Sequence, residues 1–112
     1  MKKQGVPNML LRNLLILPVP NLEKTSDFYT SILGFRDVKY LNYKEPHICL
    51  YKENIEIILI KSKLKKIIPN RIIHGYGYDG YFTGDGIDDI YQHFISNGAK
   101  IVKQLCKRLF SY

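Results

Sequence analysis

The sequence predicts an α+β domain with a complete βαβββ module followed by an incomplete second βαβ(ββ) module. Three observations support this prediction: a helix with clear end signals follows the first apolar strand, three apolar runs follow that helix, and the strand-helix order begins again after residue 75. A chain of 112 residues has the length of one domain with a core. We therefore expect a single domain over residues 1–112, with the first module at 11–61, a linker at 62–78 and the partial second module at 79–112.

The first helix is marked at both ends. Asn21 can accept hydrogen bonds from the free N–H groups of the first helical turn, and Gly34 can adopt the left-handed conformation that ends a helix. One side of the segment between them is apolar: Leu22, Tyr29, Ile32 and Leu33. This pattern predicts a helix that packs its apolar side against a sheet.

Three apolar runs after this helix predict three strands. They cover residues 36–43, 46–53 and 55–61, and polar residues at 42–45 and 52–54 separate them. In the last run, Glu56, Ile58 and Ile60 alternate with Ile55, Ile57 and Leu59, so the two sets point to opposite faces of the sheet.

The second half repeats the plan of strand, helix, glycine and strand. Asp85 or Gly86 can begin a helix that Gly98 ends. Its apolar residues recur at helical spacing: Ile87, Ile90, Tyr91 and Phe94. We expect strands from residue 75 and over 99–105. Only 14 residues follow Gly98, so the last two strands of a second module have no sequence. Since an unpaired sheet edge invites association, we expect a homodimer.

The order of elements and the phrase VPNLEKTSDFYTSILGF resemble the vicinal oxygen chelate superfamily. This superfamily contains glyoxalases, bleomycin resistance proteins and ring-cleaving dioxygenases, and the resemblance spans residues 11–103. It implies a mixed sheet of the glyoxalase/bleomycin-resistance type and a small-molecule ligand. It implies the fold more firmly than the activity, because one fold hosts many chemistries.

The resemblance also implies where a metal would be held. In metal-dependent members the ligand positions fall on Leu14, Glu56 and Asp79, and the fourth lies on a strand for which this chain has no sequence. Leu14 has no donor atom, and Asp79 stands where histidine is usual. Two carboxylates form a poor site for zinc or nickel. We expect no cofactor; a divalent metal stays open as the alternative, and oxygen ligands would then favour magnesium, calcium or manganese.

Glu56 is the predicted catalytic residue. On an apolar strand face it could serve as a general base or as a hydrogen-bond donor to a ligand. The alternative is a glutamate that faces the surface or pairs with a nearby lysine. We predict that the concave side of the sheet carries the site, with metal candidates Glu56 and Asp79 and substrate-binding candidates Leu14, Ile16, Tyr40, Ile58 and Tyr81.

The histidines and cysteines do not form a recognisable catalytic pattern. Cys49 and Cys106 are too few for a disulfide framework or a zinc site, and both are expected to be free thiols. His93 is expected to face solvent. His47 and His74 are the two histidines with a chance of reaching the concave side, and neither is spaced from a cysteine or serine as in a triad.

Charge and hydropathy limit the partners. The net charge of +7 and the pI near 9.4 favour anionic ligands and argue against a cationic drug of the bleomycin type. Arg12 and Asn13 interrupt the apolar residues near the start, and no run approaches the roughly 20 apolar residues that span a bilayer. We therefore expect a soluble, cytoplasmic protein without a membrane partner.

Three functions compete at this point. The first is a small-molecule-binding member of the superfamily with a degenerate metal site. The second is a metal-dependent lyase or dioxygenase whose site is completed by a second chain, with Glu56 as one ligand. The third is a nucleic-acid-binding module, which we disfavour because residues 55–60 are too aliphatic for the stacking platform of an RNA-binding sheet.

Overall fold

The computed structural model describes residues 10–101 of the chain. Its elements in chain order are β1 Leu15–Val19, α1 Leu22–Ser31, β2 Arg36–Tyr40, β3 His47–Lys52, β4 Ile55–Lys61, α2 Asn70–Ile73 and α3 Ile87–Ser96. The first five elements confirm the predicted βαβββ module. The second and third strands are shorter than the predicted runs, and the short helix α2 within the predicted linker was not foreseen.

The strands form one mixed sheet in the order β1-β4-β3-β2. Strand β1 pairs with β4 in parallel, while β4 with β3 and β3 with β2 are antiparallel. Antiparallel neighbours need only short turns, whereas parallel neighbours need a long crossover. The chain from α1 to β3 supplies that crossover, so β1 can lie beside the last strand of the module.

Both predicted end signals of α1 are confirmed. The Asn21 side chain accepts a hydrogen bond from the Lys24 N–H at 3.0 Å, and this contact satisfies one of the free donors of the first turn. After the helix, Gly34 has a φ of 78°, a conformation that favours glycine. The chain then turns back, and the Phe35 N–H donates to the Tyr29 carbonyl at 2.9 Å before β2 begins.

The core lies between α1 and one face of the sheet. Its buried apolar side chains are Leu22, Phe35, Ile48, Leu50, Ile57 and Leu59. One polar side chain, Ser26, is also fully buried, and its hydroxyl donates to a carboxylate oxygen of Asp37 at 2.8 Å. This hydrogen bond joins α1 to the edge strand β2 and removes the cost of burying an unpaired hydroxyl.

The predicted strand near residue 75 is not formed. Within residues 10–101 no strand follows β4. Gly75 and Gly77 have φ values of 83° and 93°, which are incompatible with the extended backbone of a strand. Residues 99–101 are not extended into a strand either, and the rest of the strand expected at 99–105 lies outside the described residues.

The second predicted helix is confirmed as α3. It begins after Gly86, which has a φ of 69°, and it is followed by Gly98 with a φ of 93°. Its link to the first module is a hydrogen bond from the Asn97 side-chain amide to the Ile32 carbonyl at 3.1 Å. No helix in residues 10–101 is both long and apolar enough to cross a membrane.

We predict that Ser26→Ala lowers the free energy of unfolding by about 1–2 kcal/mol, because it removes the hydroxyl that pairs with Asp37 in the buried interface. Urea denaturation measures this loss. The matched control is Ser31→Ala on the exposed side of the same helix, which should change stability by less than about 0.5 kcal/mol. Equal losses in the two variants would contradict the assigned role of the hydrogen bond.

We also predict that Tyr29 contributes to unfolding at alkaline pH. Burial raises the pKa of Tyr29 above its ordinary value of 10.0. Its stabilising contribution is therefore complete below pH 10 and is lost as pH rises through the higher folded-state pKa. Tyr29→Phe should flatten the decline of unfolding free energy between about pH 9 and 11, whereas Tyr76→Phe, at an exposed tyrosine, should leave it unchanged.

Candidate ligand site on the open sheet face

The sheet face opposite α1 is the predicted concave side. Strand register places Ile16, Tyr40, Glu56 and Ile58 on this face, as predicted. Ile16 is 57% exposed and Ile60, its neighbour on the same face, is 39% exposed. The open face is therefore apolar along its middle and accessible to a ligand or to another chain.

One end of the open face carries a row of polar side chains across three strands. Arg36 on β2 lies opposite Tyr51 on β3, and Tyr51 lies opposite Glu56 on β4. The Arg36 guanidinium stands 4.7 Å from the centre of the Tyr51 ring, a cation–π contact. We call these three residues the polar row.

Glu56 forms an ion pair with Arg12. The Arg12 Nη1 atom lies 2.6 Å from the Glu56 Oε1 atom, so the guanidinium donates a charge-assisted hydrogen bond to the carboxylate. The Glu56 side chain is only 12% exposed, whereas that of Arg12 is 73% exposed. A largely buried carboxylate on a rigid strand thus holds a cation at the surface.

Sequence reasoning assigned no functional role to Arg12. In the sequence it is only a charge that interrupts an apolar run. Strand alternation supplies no signal for it, because β1 begins at Leu15 and residues 10–14 lie outside the strand.

Two adjoining cavities meet at Glu56. Their volumes are about 380 and 400 Å³, and they share Asn13, Asn54, Ile55 and Glu56 in their walls. The first cavity adds Leu14 and Tyr81, so it brings together three of the predicted site residues. The second adds Arg12, Tyr51 and Glu53. Together they form what we call the Glu56 cavity.

The loop that carries Tyr81 approaches β1 closely at Gly80. A Cβ atom on Gly80 would lie 2.9 Å from the Cδ1 atom of Leu15, closer than normal packing allows. The missing side chain lets the loop lie against β1. Tyr81 and Phe82 follow directly and line the cavity.

Four predicted site residues are not in the walls of this cavity: Ile16, Tyr40, Ile58 and Asp79. The Asp79 carboxylate accepts a hydrogen bond from the Asn70 N–H at 3.1 Å at the start of α2, and Asp79 is not in the walls of the Glu56 cavity. Tyr40 shares the open face but lies at its other end, where its ring stacks on His47 at a centroid distance of 4.9 Å. The structure therefore joins Leu14, Glu56 and Tyr81 but separates them from Asp79 and Tyr40.

The side chains around Glu56 do not fit a transition metal. One carboxylate oxygen already accepts from Arg12, and Leu14 supplies no donor atom. Among residues 10–101, no three or more His, Cys, Asp or Glu side chains are grouped so as to hold an ion. A zinc or nickel site takes about four ligands in defined geometry, and the positive guanidinium beside the Glu56 carboxylate opposes a second cation.

The Tyr51 hydroxyl keeps its proton at neutral pH. Its pKa is raised first by a side-chain hydrogen bond with Cys49, then by desolvation and by the nearby Glu56 charge. The polar row thus presents a phenol that can donate a hydrogen bond, a guanidinium, and a carboxylate paired with a second guanidinium.

A separate cavity of about 610 Å³ lies between α3 and the first module. Its walls are mostly apolar and include Phe35, Ile55, Phe82, Ile90 and Phe94. The apolar side predicted for α3 therefore faces the first module. The two are separated by this cavity and are not closely packed there.

We predict that Gly80→Ala displaces the 80–83 loop from β1 and speeds chymotryptic cleavage after Tyr81 and Phe82, because the new methyl group would overlap Leu15. Limited proteolysis followed by mass spectrometry measures the rate. Gly84→Ala is the matched control, since a Cβ atom there would have no neighbour within 4 Å. Equal rates in both variants would mean that the loop does not depend on the close approach at residue 80.

Comparison with known proteins identifies the fold. The family model described as glyoxalase/bleomycin resistance protein/dioxygenase superfamily matches residues 11–111. No curated protein is significantly similar to the chain in sequence.

Three solved structures share the fold. UcmS2 has a TM-score of 0.67 at 19% identity and covers 91% of this chain and 86% of its own. An integron cassette protein, VCH_CASS1, from the mobile metagenome of V. cholerae has a TM-score of 0.53 at 20% identity, with 89% and 78% covered. The virulence protein STM3117 from Salmonella typhimurium has a TM-score of 0.55 at 20% identity, with 89% and 79% covered. At these identities the likeness concerns the fold alone.

Proposed function

We propose, from the premise that the chain belongs to the glyoxalase/bleomycin resistance protein/dioxygenase superfamily, that it binds a small molecule at the Glu56 cavity without a transition metal. The ligand is held between the polar row and the loop that carries Tyr81. Leu14 and Ile58 contribute the apolar surface beside it, and Glu56 is the polar centre of the site.

The Arg12–Glu56 ion pair is the observation that carries this proposal. Of the two predicted metal ligands, only Glu56 lies in the cavity. The Arg12 Nη1 atom lies 2.6 Å from the Glu56 Oε1 atom. A metal at this place would have to displace the guanidinium or share the carboxylate with it, and both changes cost electrostatic free energy. Asp79, the second predicted metal ligand, has its carboxylate engaged at α2.

The proposal favours binding over catalysis. A proton-transfer role for Glu56 needs a carboxylate that is free to accept a proton from a substrate, whereas this carboxylate is paired with a permanently charged group. The alternative in the same superfamily is a metal-dependent lyase or dioxygenase. It would require further ligands from a second chain and the release of Arg12 from Glu56.

Metal analysis and thermal unfolding together test the proposal. The chain purified without chelator should contain far less than one zinc, nickel or manganese ion per protein, and adding these ions should leave the melting temperature unchanged. A metal present at about 100 times its Kd stabilises the folded state by about 2.7 kcal/mol. For a domain of this size, that raises the melting temperature by about 10 °C.

Glu56→Gln separates a specific metal effect from a general one. If an added ion raises the melting temperature of the wild-type chain but not that of Glu56→Gln, a metal binds through Glu56 and the alternative function replaces the proposal. Stabilisation of both proteins to the same extent would be a general effect of the ion, which leaves the Glu56 cavity metal-free as proposed.

We further propose that a second copy of the chain covers the apolar middle of the open face. Both β1 and β2 are edge strands in the sheet of the described residues, and Ile16 and Ile60 expose apolar surface between them. Unpaired edges and exposed apolar patches both favour association.

We predict a dimer in light scattering and its dissociation by Ile16→Lys, because the new charge would be buried in the interface. Ile95→Lys on α3 is the control, since Ile95 is an exposed isoleucine in a different part of the chain. A monomeric wild-type chain, or equal effects of the two substitutions, would contradict the proposed interface.

A further inference from the structure

We infer that Arg12 and Arg36 form a receptor for an oxyanion, a carboxylate or phosphate group of the ligand, at the polar end of the open face. This inference rests on the proposed function, because it assigns the chemistry of the ligand that the Glu56 cavity takes. Arg12 contacts the Glu56 carboxylate, to which a metal ion would bind in a metal-dependent relative. Arg12 acts there as a hydrogen-bond donor, whereas a metal ion acts as a Lewis acid.

The geometry of Arg12 leaves most of its donors available. An arginine has five N–H donors in a planar fork, and the contact with Glu56 joins one guanidinium nitrogen to one oxygen. The side chain is 73% exposed while its partner is 12% exposed, so the carboxylate fixes the guanidinium from below and the remaining donors face outward. A planar carboxylate or a phosphate matches such a fork with two parallel hydrogen bonds.

Arg36 supplies a second cation on the same face. Its guanidinium stacks on the Tyr51 ring, a contact that uses the face of the guanidinium and leaves its in-plane N–H groups free to donate. Residues opposite each other on paired strands are about 5 Å apart. Arg36 and Glu56 flank Tyr51 in the register, and the Arg36 guanidinium lies over the Tyr51 ring, between its own strand and the Arg12–Glu56 pair.

The charges around this patch favour an anion. The negative charge of Glu56 is compensated by Arg12, and Arg36 adds a positive charge. Glu53 also lines the cavity, but it lies in the exposed turn between β3 and β4, where solvent and salt screen it. The protonated Tyr51 hydroxyl and the side-chain amides of Asn13 and Asn54 are further donors. The net charge of +7 steers anions toward the whole chain.

A purely structural ion pair would behave differently. Loss of Arg12 leaves the largely buried Glu56 carboxylate unpaired, so it should lower the free energy of unfolding whether the pair is structural or binds an anion. An effect on anion binding is what separates a receptor from a structural contact. Inorganic phosphate and acetate are suitable probes, because they carry the oxyanion without any other recognition group.

The test is a titration followed by two-dimensional NMR at constant ionic strength, with phosphate in one arm and acetate in the other. We expect saturable shifts of the side-chain Nε–H signals of Arg12 and Arg36 in at least one arm. Arg12→Gln should weaken the binding about tenfold or more, as expected for the loss of a charge-assisted pair of hydrogen bonds. Arg12→Lys should retain part of the affinity, because it keeps the charge but not the fork.

The control is Arg71→Gln, which removes the same charge from an exposed position on α2 and should leave the affinity unchanged. Shifts that do not saturate, that concentrate on the lysines of residues 61–66, or that are unaffected by Arg12→Gln would overturn the inference. The metal analysis of Glu56→Gln reports separately on the proposed function. A metal-free chain that fails to bind either anion would therefore refute the receptor and leave the proposed function standing.

Discussion

The parallel pairing of β1 with β4 is the constraint on which the rest of the structure depends. Parallel neighbours cannot be joined by a tight turn, so the chain must leave the sheet after β1 and return through a crossover. Helix α1 forms the first part of that crossover and lies on one face, where the core residues Leu50 and Ile57 are fully buried against it. The opposite face is left open, and every candidate site residue that lies on a strand belongs to it.

A sheet face without a covering helix is in contact with water and must still be stable. The chain meets this requirement by placing apolar residues in the middle of the face and charged groups at one end. Glu56 illustrates the arrangement, since the residues beside it along β4, Ile55 and Ile57, point to the core while its own carboxylate faces the opening. Burying a carboxylate to this extent is costly unless it is paired, and Arg12 supplies that pairing.

The first module could be predicted almost completely because its signals are local. Asn21 and Gly34 mark the ends of α1 within one stretch of sequence, and period-two alternation identifies β4. The second half was predicted less well. Its helix has a local apolar stripe and was found, but the expected strand near residue 75 was not formed because Gly75 and Gly77 adopt positive φ values. A glycine in sequence does not reveal which of its allowed conformations the fold will select.

The site was predicted in part for a related reason. Leu14 and Glu56 were predicted because a family resemblance supplied their alignment, and the structure places both in one cavity with Tyr81. Arg12 was missed because its partner is 44 positions away along the chain, and no local pattern joins them. Pairings of this kind depend on how the segment before β1 lies beside β4, which the sequence alone does not determine.

A guanidinium beside a carboxylate gives a pocket different chemistry from a metal ion at the same place. A divalent ion carries two charges, accepts lone pairs directly and lowers the pKa of bound water, so it can activate a substrate. A guanidinium carries one delocalised charge, acts only through N–H donors and stays protonated at any physiological pH. It can orient an oxyanion and neutralise it, but it generates no hydroxide and stabilises developing charge less strongly. In the proposed function the Arg12–Glu56 pair therefore holds a ligand without activating it, because its donor chemistry is that of a guanidinium and not of a metal ion.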